Sequence, residues 1–202
     1  MHVALIGASG HAGSRILQEL SDRGHAVTAI ARNPDKIAKL PGVTAKAGDV
    51  FDQAGLTRLL EGHDTVISAV HFVASDPRIL IDAVKASGAK RYLVVGGAGS
   101  LEVAPGVALV TTPDFPDAYK PEALAGGRFL DLLRAEKDLD WTFLSPSALF
   151  EPGQRTGKFR LGGDELLVGE HGSRISFEDY AVALADEIEH PAHSRQRFTV
   201  GY

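Results

Sequence analysis

Three glycines spaced three residues apart follow the first apolar run of the chain, Val3-Ala-Leu-Ile-Gly7-Ala-Ser9-Gly10-His11-Ala12-Gly13. Each has a physical task. Gly7 permits a tight turn, Gly10 lets the backbone come close to a ligand, and Gly13 allows a helix to pack tightly on what precedes it. A helix that opens behind such a turn points unpaired N–H groups and the positive end of its dipole at an anion. The chemistry is the holding of a diphosphate, as in a dinucleotide. In a chain with 22 glycines the spacing alone is a weak signal; its position between a strand and a helix carries it. Ser9, His11 and Ala12 belong to the same cradle. The His11 ring either neighbours a phosphate or serves as a spacer.

The second apolar run decides which dinucleotide. Sites selective for NAD place a carboxylate about 20 residues beyond the glycines, on the ribose 2′-hydroxyl. Here Val27-Thr-Ala-Ile-Ala31 ends in Arg32-Asn33-Pro34, and no acid precedes Asp35. A guanidinium at that point suits a 2′-phosphate through a charge-assisted fork, with Lys36 as a weaker helper. The expected cofactor is therefore NADPH, with NADH left open.

These residues need a scaffold. Val3–Ile6, Ala26–Ala31, Val43–Ala47, Thr65–Val70, Tyr92–Val95 and Trp141–Leu144 are near-continuous apolar runs, as in parallel strands buried on both faces. Helical patterns lie between them: one on Ala12, Ile16, Leu17 and Leu20 closed by Gly24, then Gln53–Glu61, Asp76–Ser87 and Pro121–Lys137. The alternation predicts a Rossmann-like, doubly wound parallel α/β sheet with helices on both faces. One domain over residues 1–202 is expected, with a small substrate-side elaboration at 151–202. In that last quarter the glycine-rich Glu151–Glu170 stretch offers two short strands around Gly162–Gly163. Ser176-Phe-Glu-Asp179 reads as a capping box opening a helix on Ala181, Leu184, Ala185 and Ile188, and Arg197–Val200 as a last strand.

Composition narrows the function classes. Against 26 acidic residues stand 21 basic ones, a net charge of −5, which does not suit a nucleic-acid or anionic-membrane binder. There is no cysteine, which removes disulfides, thiolate nucleophiles and Cys-ligated metals. No run reaches the ~18 apolar residues of a membrane span, and the N-terminus lacks the features of an export signal. A cytoplasmic protein, monomeric or homodimeric, is expected. His190-Pro-Ala-His193 has poor geometry for a metal, so none is expected.

The glycine turn together with Ala31-Arg-Asn-Pro34, Gly48-Asp-Val50, Val66-Ile-Ser-Ala-Val70, Val94-Val-Gly-Gly-Ala-Gly-Ser100, Asp140-Trp-Thr-Phe-Leu-Ser-Pro146 and Ile175-Ser-Phe-Glu-Asp-Tyr-Ala181 resembles an atypical short-chain dehydrogenase/reductase. More narrowly, it is similar to the NmrA-like, NAD(P)H-binding group of NADH–flavin reductases, in the style of biliverdin-IXβ/flavin reductase. The likeness spans nearly the whole chain. It implies that Asp49 and Val50 meet the adenine and that Ala69 and Val70 pass the ribose and pyrophosphate. Gly96 and Gly97 would then lie under the nicotinamide ribose, with Pro146 and Ser147 near the carboxamide.

The departures matter as much. Short-chain dehydrogenases donate a proton from a tyrosine with a lysine four residues later. Tyr92, Tyr119 and Tyr180 are followed at that distance by Gly96, Ala123 and Leu184, so no such pair exists. The serine expected after the fifth strand is displaced by Gly96-Gly97, leaving Ser100 as the nearest hydroxyl. The expectation is hydride transfer to a flavin, quinone or similar conjugated small molecule, with FMN or FAD as substrate rather than prosthetic group. Phe115, Tyr119 and Phe150 are the candidates to stack on that acceptor, and Tyr119 and Ser100 are the only candidate catalytic hydroxyls. The competing reading is a non-catalytic NADP(H)-binding sensor. His71 borders the expected cleft or has no role, and Arg155-Thr-Gly-Lys158 is either an anion contact or a solvated tip.

Overall fold

The computed structural model describes residues 1–202. Strand β1 (His2–Ile6) leads into α1 (His11–Asp22), β2 (Ala26–Ala31), β3 (Val43–Ala47), α2 (Gln53–Leu60), β4 (Thr65–Ser68), α3 (Pro77–Ser87) and β5 (Arg91–Val95). A short hairpin, β6 (Glu102–Ala104) and β7 (Val107–Ala108), precedes α4 (Lys120–Ala135) and β8 (Asp140–Ser145). Then come β9 (Leu149–Glu151), β10 (Arg160–Gly162), β11 (Arg174–Ser176), α5 (Phe177–Glu189) and β12 (Gln196–Gly201). The main sheet runs β10-β12-β8-β5-β4-β1-β2-β3, and only β10 is antiparallel to its neighbour. The chain leaves β1 for β2 and β3 on one side and returns to β4 on the other. This places a topological switch point beside the carboxyl end of β1, where open α/β sheets bind ligands.

Alternation along the strands builds two cores. Val3 and Leu5 face α1 and α5, together with Val27, Ala29, Ile67, Leu93 and Leu144. Ala4 and Ile6 face α2, α3 and α4, together with Val66, Tyr92, Val94, Trp141 and Phe143. Both faces are thus covered, as the apolar runs predict. The exception is Val43–Ala47. It is the edge strand, and Thr44, Ala45, Lys46 and Ala47 are exposed. Helix signals hold at their ends: Gly24 follows α1 in the left-handed region at φ +76°, and Asp76 accepts the Arg78 N–H at the start of α3.

The last quarter departs most from expectation. Only Arg160–Gly162 forms a strand next to Gly162–Gly163; the second short pairing joins β11 to β9 instead. Ser176 does cap α5, accepting the Asp179 N–H at 2.9 Å. Asp179 does not complete the box. Its buried carboxylate accepts the Thr156 and Gly157 N–H groups, the Thr156 hydroxyl and the Tyr202 hydroxyl. Residues 152–158 are therefore a strap fixed to α1 and α5, since Glu178 also accepts the Gly153 N–H and Arg155 grips Glu19 through two bonds of 2.7 Å. Arg155 is exposed, and its guanidinium is committed to the Glu19 carboxylate. Within 151–202, α5 packs on α1 and β10 and β12 are strands of the main sheet, so only the β9–β11 pair, the strap and the loop between β10 and β11 lie outside the main layers.

The hydrogen bonds from Arg155 hold the Glu19 carboxyl below its ordinary value of 4.5, against an opposing effect of burial and with help from Arg23. A carboxylate depressed in the folded state stabilises above its unfolded value, and loses that contribution as pH falls through the folded one. Arg155→Met should lower the melting temperature at pH 7 by ~2–4 °C, the shift for about 1 kcal/mol in a chain of this size. Calorimetry should find this deficit shrinking as the pH is taken below 4.5.

Candidate active site

The carboxyl end of β1 is built around contacts that exclude side chains. Gly7 has φ +84°, and a Cβ there would collide with the Ala69 carbonyl oxygen that follows β4. A Cβ on Gly13 would strike the Gly7 carbonyl oxygen. The N–H groups of Gly7 and Ala8 donate to the Ile30 carbonyl at 2.9 and 3.2 Å, and that of Gly10 donates to Gly7. Gly10 then caps α1 in an extended conformation without a side-chain hydrogen bond, and no acid occupies the first turn. The N–H groups of Ser9, His11, Ala12 and Gly13 have no partner in the protein. This is a donor set without protein partners at a dipole's positive end, with no acid in the helix's first turn.

The other predicted cofactor residues surround this turn at strand ends. Arg32 directly follows β2, is exposed, and makes no ion pair. Beside it Asn33 turns back to accept the Asp35 N–H at 3.0 Å. Asp49 likewise forms a local turn, accepting the Phe51 N–H at 2.9 Å, so one of its oxygens is engaged. Ala69 and Val70 follow β4 and Gly96 and Gly97 follow β5, all four lining one cavity. At Gly96 a side chain would meet Phe143 and the Leu144 carbonyl, whereas Gly97 has only Phe72 nearby, at 3.6 Å.

That cavity has a volume of about 730 Å³, within the range of small-molecule sites. It continues from His11 and Ala12 past Gly97 to a wall formed by the segment between β7 and α4. Phe115, Tyr119 and Phe150 all line it, as expected. Phe150 also packs into the core, edge-on to Phe177 at 4.5 Å and against Tyr180 at 4.7 Å. Tyr119 is 66% exposed, and its hydroxyl has no partner. Its neighbour Lys120 instead binds Asp117 at 2.6 Å.

Two predicted residues have their hydroxyls engaged elsewhere in the protein. Ser100 is not in the cavity wall; its hydroxyl accepts from Arg197 at 3.2 Å, and the same guanidinium binds Asp164 at 2.6 Å. The Ser147 hydroxyl is buried and donates to the Val200 carbonyl at 2.9 Å, which leaves its backbone, next to Pro146, to face the cavity. His193 binds Glu187 at 2.7 Å and stacks on Phe198, a structural role.

Sequence reasoning missed three contributors. The His11 ring lies parallel to Phe177 at 6.0 Å, which puts an imidazole and a phenyl ring on one wall. Glu122, in the first turn of α4, accepts the Phe72 and Val73 N–H groups at 2.8 and 2.9 Å. It also faces His71 Nδ1 at 3.3 Å. The hairpin region contributes Leu109, Thr112 and Asp114. An acid at N3 of a helix is visible in the sequence; that it would cap a different loop 50 residues away is not. A second cavity, of about 430 Å³ between the strap, β11 and Tyr202, has only two hydrophobic residues among its 13 and includes none of the predicted site residues.

The sequence profile of the NAD(P)H-binding family matches residues 7–191. The chain belongs to that family. The resemblance read from the glycine turn and the strand ends is thereby borne out, as is the Rossmann-like α/β fold. Solved structures similar to this one include a protein from Burkholderia pseudomallei provisionally named as exported, 48% identical over all of both chains with a TM-score of 0.91. A protein from Bacteroides thetaiotaomicron, provisionally named an epimerase, is 43% identical, covers 100% of this chain and 96% of its own, and has a TM-score of 0.94. A protein from Streptococcus pneumoniae, provisionally named an NADH-flavin reductase, is 39% identical over 100% and 99% of the two chains, with a TM-score of 0.85. No helix is long and apolar enough to cross a membrane.

The Glu122 cap is testable by itself. Glu122→Ala should destabilise by ~1 kcal/mol, the typical cost of losing a capping acceptor. Glu122→Gln, which keeps one acceptor oxygen, should lose less. Thermal melts of the two variants should fall in that order.

Proposed function

We propose that this protein is an NADPH-dependent reductase that passes hydride to a flat, conjugated small molecule such as a flavin or quinone. The observation that carries this reading is one continuous surface. Free N–H groups at the start of α1 belong to residues of which His11 and Ala12 line a cavity shared with Phe72, Phe115, Tyr119, Phe150 and Phe177, while an unpaired, exposed Arg32 follows the neighbouring strand β2. The residues fit the cofactor, because glycine at 7 and 13 keeps the turn tight and the donors beyond it are unspent. When bound, the reduced nicotinamide supplies the hydride, two electrons and one proton.

The chain's own part is positioning. Ser9, His11, Ala12 and Gly13 would hold the pyrophosphate by backbone donation, and Arg32 would pair with the 2′-phosphate. Gly97 and the Pro146–Ser147 backbone would leave room for the nicotinamide ring, and the aromatic walls would orient the acceptor against it. No tyrosine–lysine pair stands ready to protonate an alkoxide, which disfavours carbonyl–alcohol chemistry. A flavin or quinone takes its balancing proton from water, so the site needs no acid of its own. The absence of cysteine suits the cytoplasm, which this reading takes as the compartment.

Purified protein mixed with NADPH and an acceptor should consume NADPH with saturation in both, read as loss of near-ultraviolet absorbance. Tight NADPH binding without consumption across flavins and quinones would instead favour the sensor. Arg32→Asp should lower the NADPH-to-NADH ratio of kcat/KM by at least ~10-fold, the size expected for losing a charged hydrogen bond. An unchanged ratio would remove Arg32 from the cofactor site.

A further inference from the structure

The acceptor end of the cavity differs in charge from the cofactor end. No lysine or arginine is among the 26 residues lining the cavity as a whole, while two carboxylates, Asp114 and Glu122, stand in the part of it away from the α1 cradle. Asp114 is exposed at the rim and has no ion-pair partner. The nearby cations are committed elsewhere. Lys120 is on Asp117 at 2.6 Å. Arg15 lies beyond Phe177, with its guanidinium carbon 5.8 Å from that ring's centroid and its Nε on Glu178 at 3.2 Å. The histidines facing the space are His11, stacked on Phe177, and His71, whose Nδ1 points at Glu122. The remaining lining is largely apolar, 14 of the 26 residues being hydrophobic.

An anion brought into such a space loses water and gains no fixed partner, and it meets a field of its own sign. We infer that the cavity selects acceptors without negative charge, so that a neutral quinone or the uncharged ring system of riboflavin is preferred to the phosphate-bearing FMN or FAD. Asp114 and Glu122 are then specificity determinants, with Asp114 the one free of other duties. The inference rests on the reductase reading and adds to it the charge class of the substrate.

Riboflavin and FMN share one ring system and differ by a phosphate, which makes them the decisive pair. At saturating NADPH, neutral pH and low salt, kcat/KM for riboflavin should exceed that for FMN by ~10-fold, the lower end of what a single-signed cleft does to encounter. The gap should narrow at high salt, as screening shortens the reach of the carboxylates. Asp114→Lys, a change at an exposed site, should close or reverse it. FMN used as well as riboflavin at low salt would overturn the inference while leaving the reductase standing. Should no acceptor consume NADPH, the reductase reading fails, and the charge inference is decided by binding. Flavin fluorescence titrated with NADP⁺-loaded protein should show tighter riboflavin than FMN, and equal or tighter FMN would overturn it.

Discussion

The structure depends on a close approach of backbone to backbone at the carboxyl end of β1. The Gly7 carbonyl lies where a Gly13 side chain would be, and the Ala69 carbonyl lies where a Gly7 side chain would be. Three segments, the ends of β1 and β4 and the first turn of α1, therefore meet without intervening side chains. Two consequences follow from this one constraint. The helix begins close above the sheet, and its first N–H groups are left facing outward with nothing in the protein to take them. Binding capacity here is a by-product of packing, not an added device.

A second theme is the use of carboxylates to hold irregular backbone. Glu122 holds residues 72 and 73, Asp179 holds 156 and 157, Glu178 holds Gly153, and Asp49 closes a turn of its own. Segments without sheet or helix partners must satisfy their N–H groups somewhere, and charge-assisted bonds do so strongly. Of these acids only Asp179 is fully buried; the others hold backbone from the surface.

Legibility in the sequence followed the range of the interactions. The apolar runs located the strands of the main sheet, and the glycine turn and Gly24 located both ends of α1, because periodicity and backbone freedom are local. The edge position of Val43–Ala47 was not legible, since pairing partners are chosen by topology. The fate of Ser100 and Ser147 was invisible for the same reason: their hydroxyls are claimed by Arg197, 97 residues on, and by the Val200 carbonyl, 53 residues on, both in β12. Asp179 sat at the right spacing for a reciprocal cap, yet a strap that packs across the helix start took its carboxylate. The aromatic wall was half legible, with Phe115, Tyr119 and Phe150 anticipated and the His11–Phe177 stack not.

The wall between β7 and α4 comes from a stretch that contributes no strand to the main sheet and no residue to the diphosphate cradle. On the proposed reading, one part of the acceptor wall is thus carried by a length of chain separate from the coenzyme cradle. A lineage could redraw that part by substitution, insertion or deletion while leaving the cradle intact, and descendants would keep one backbone yet diverge in chemistry.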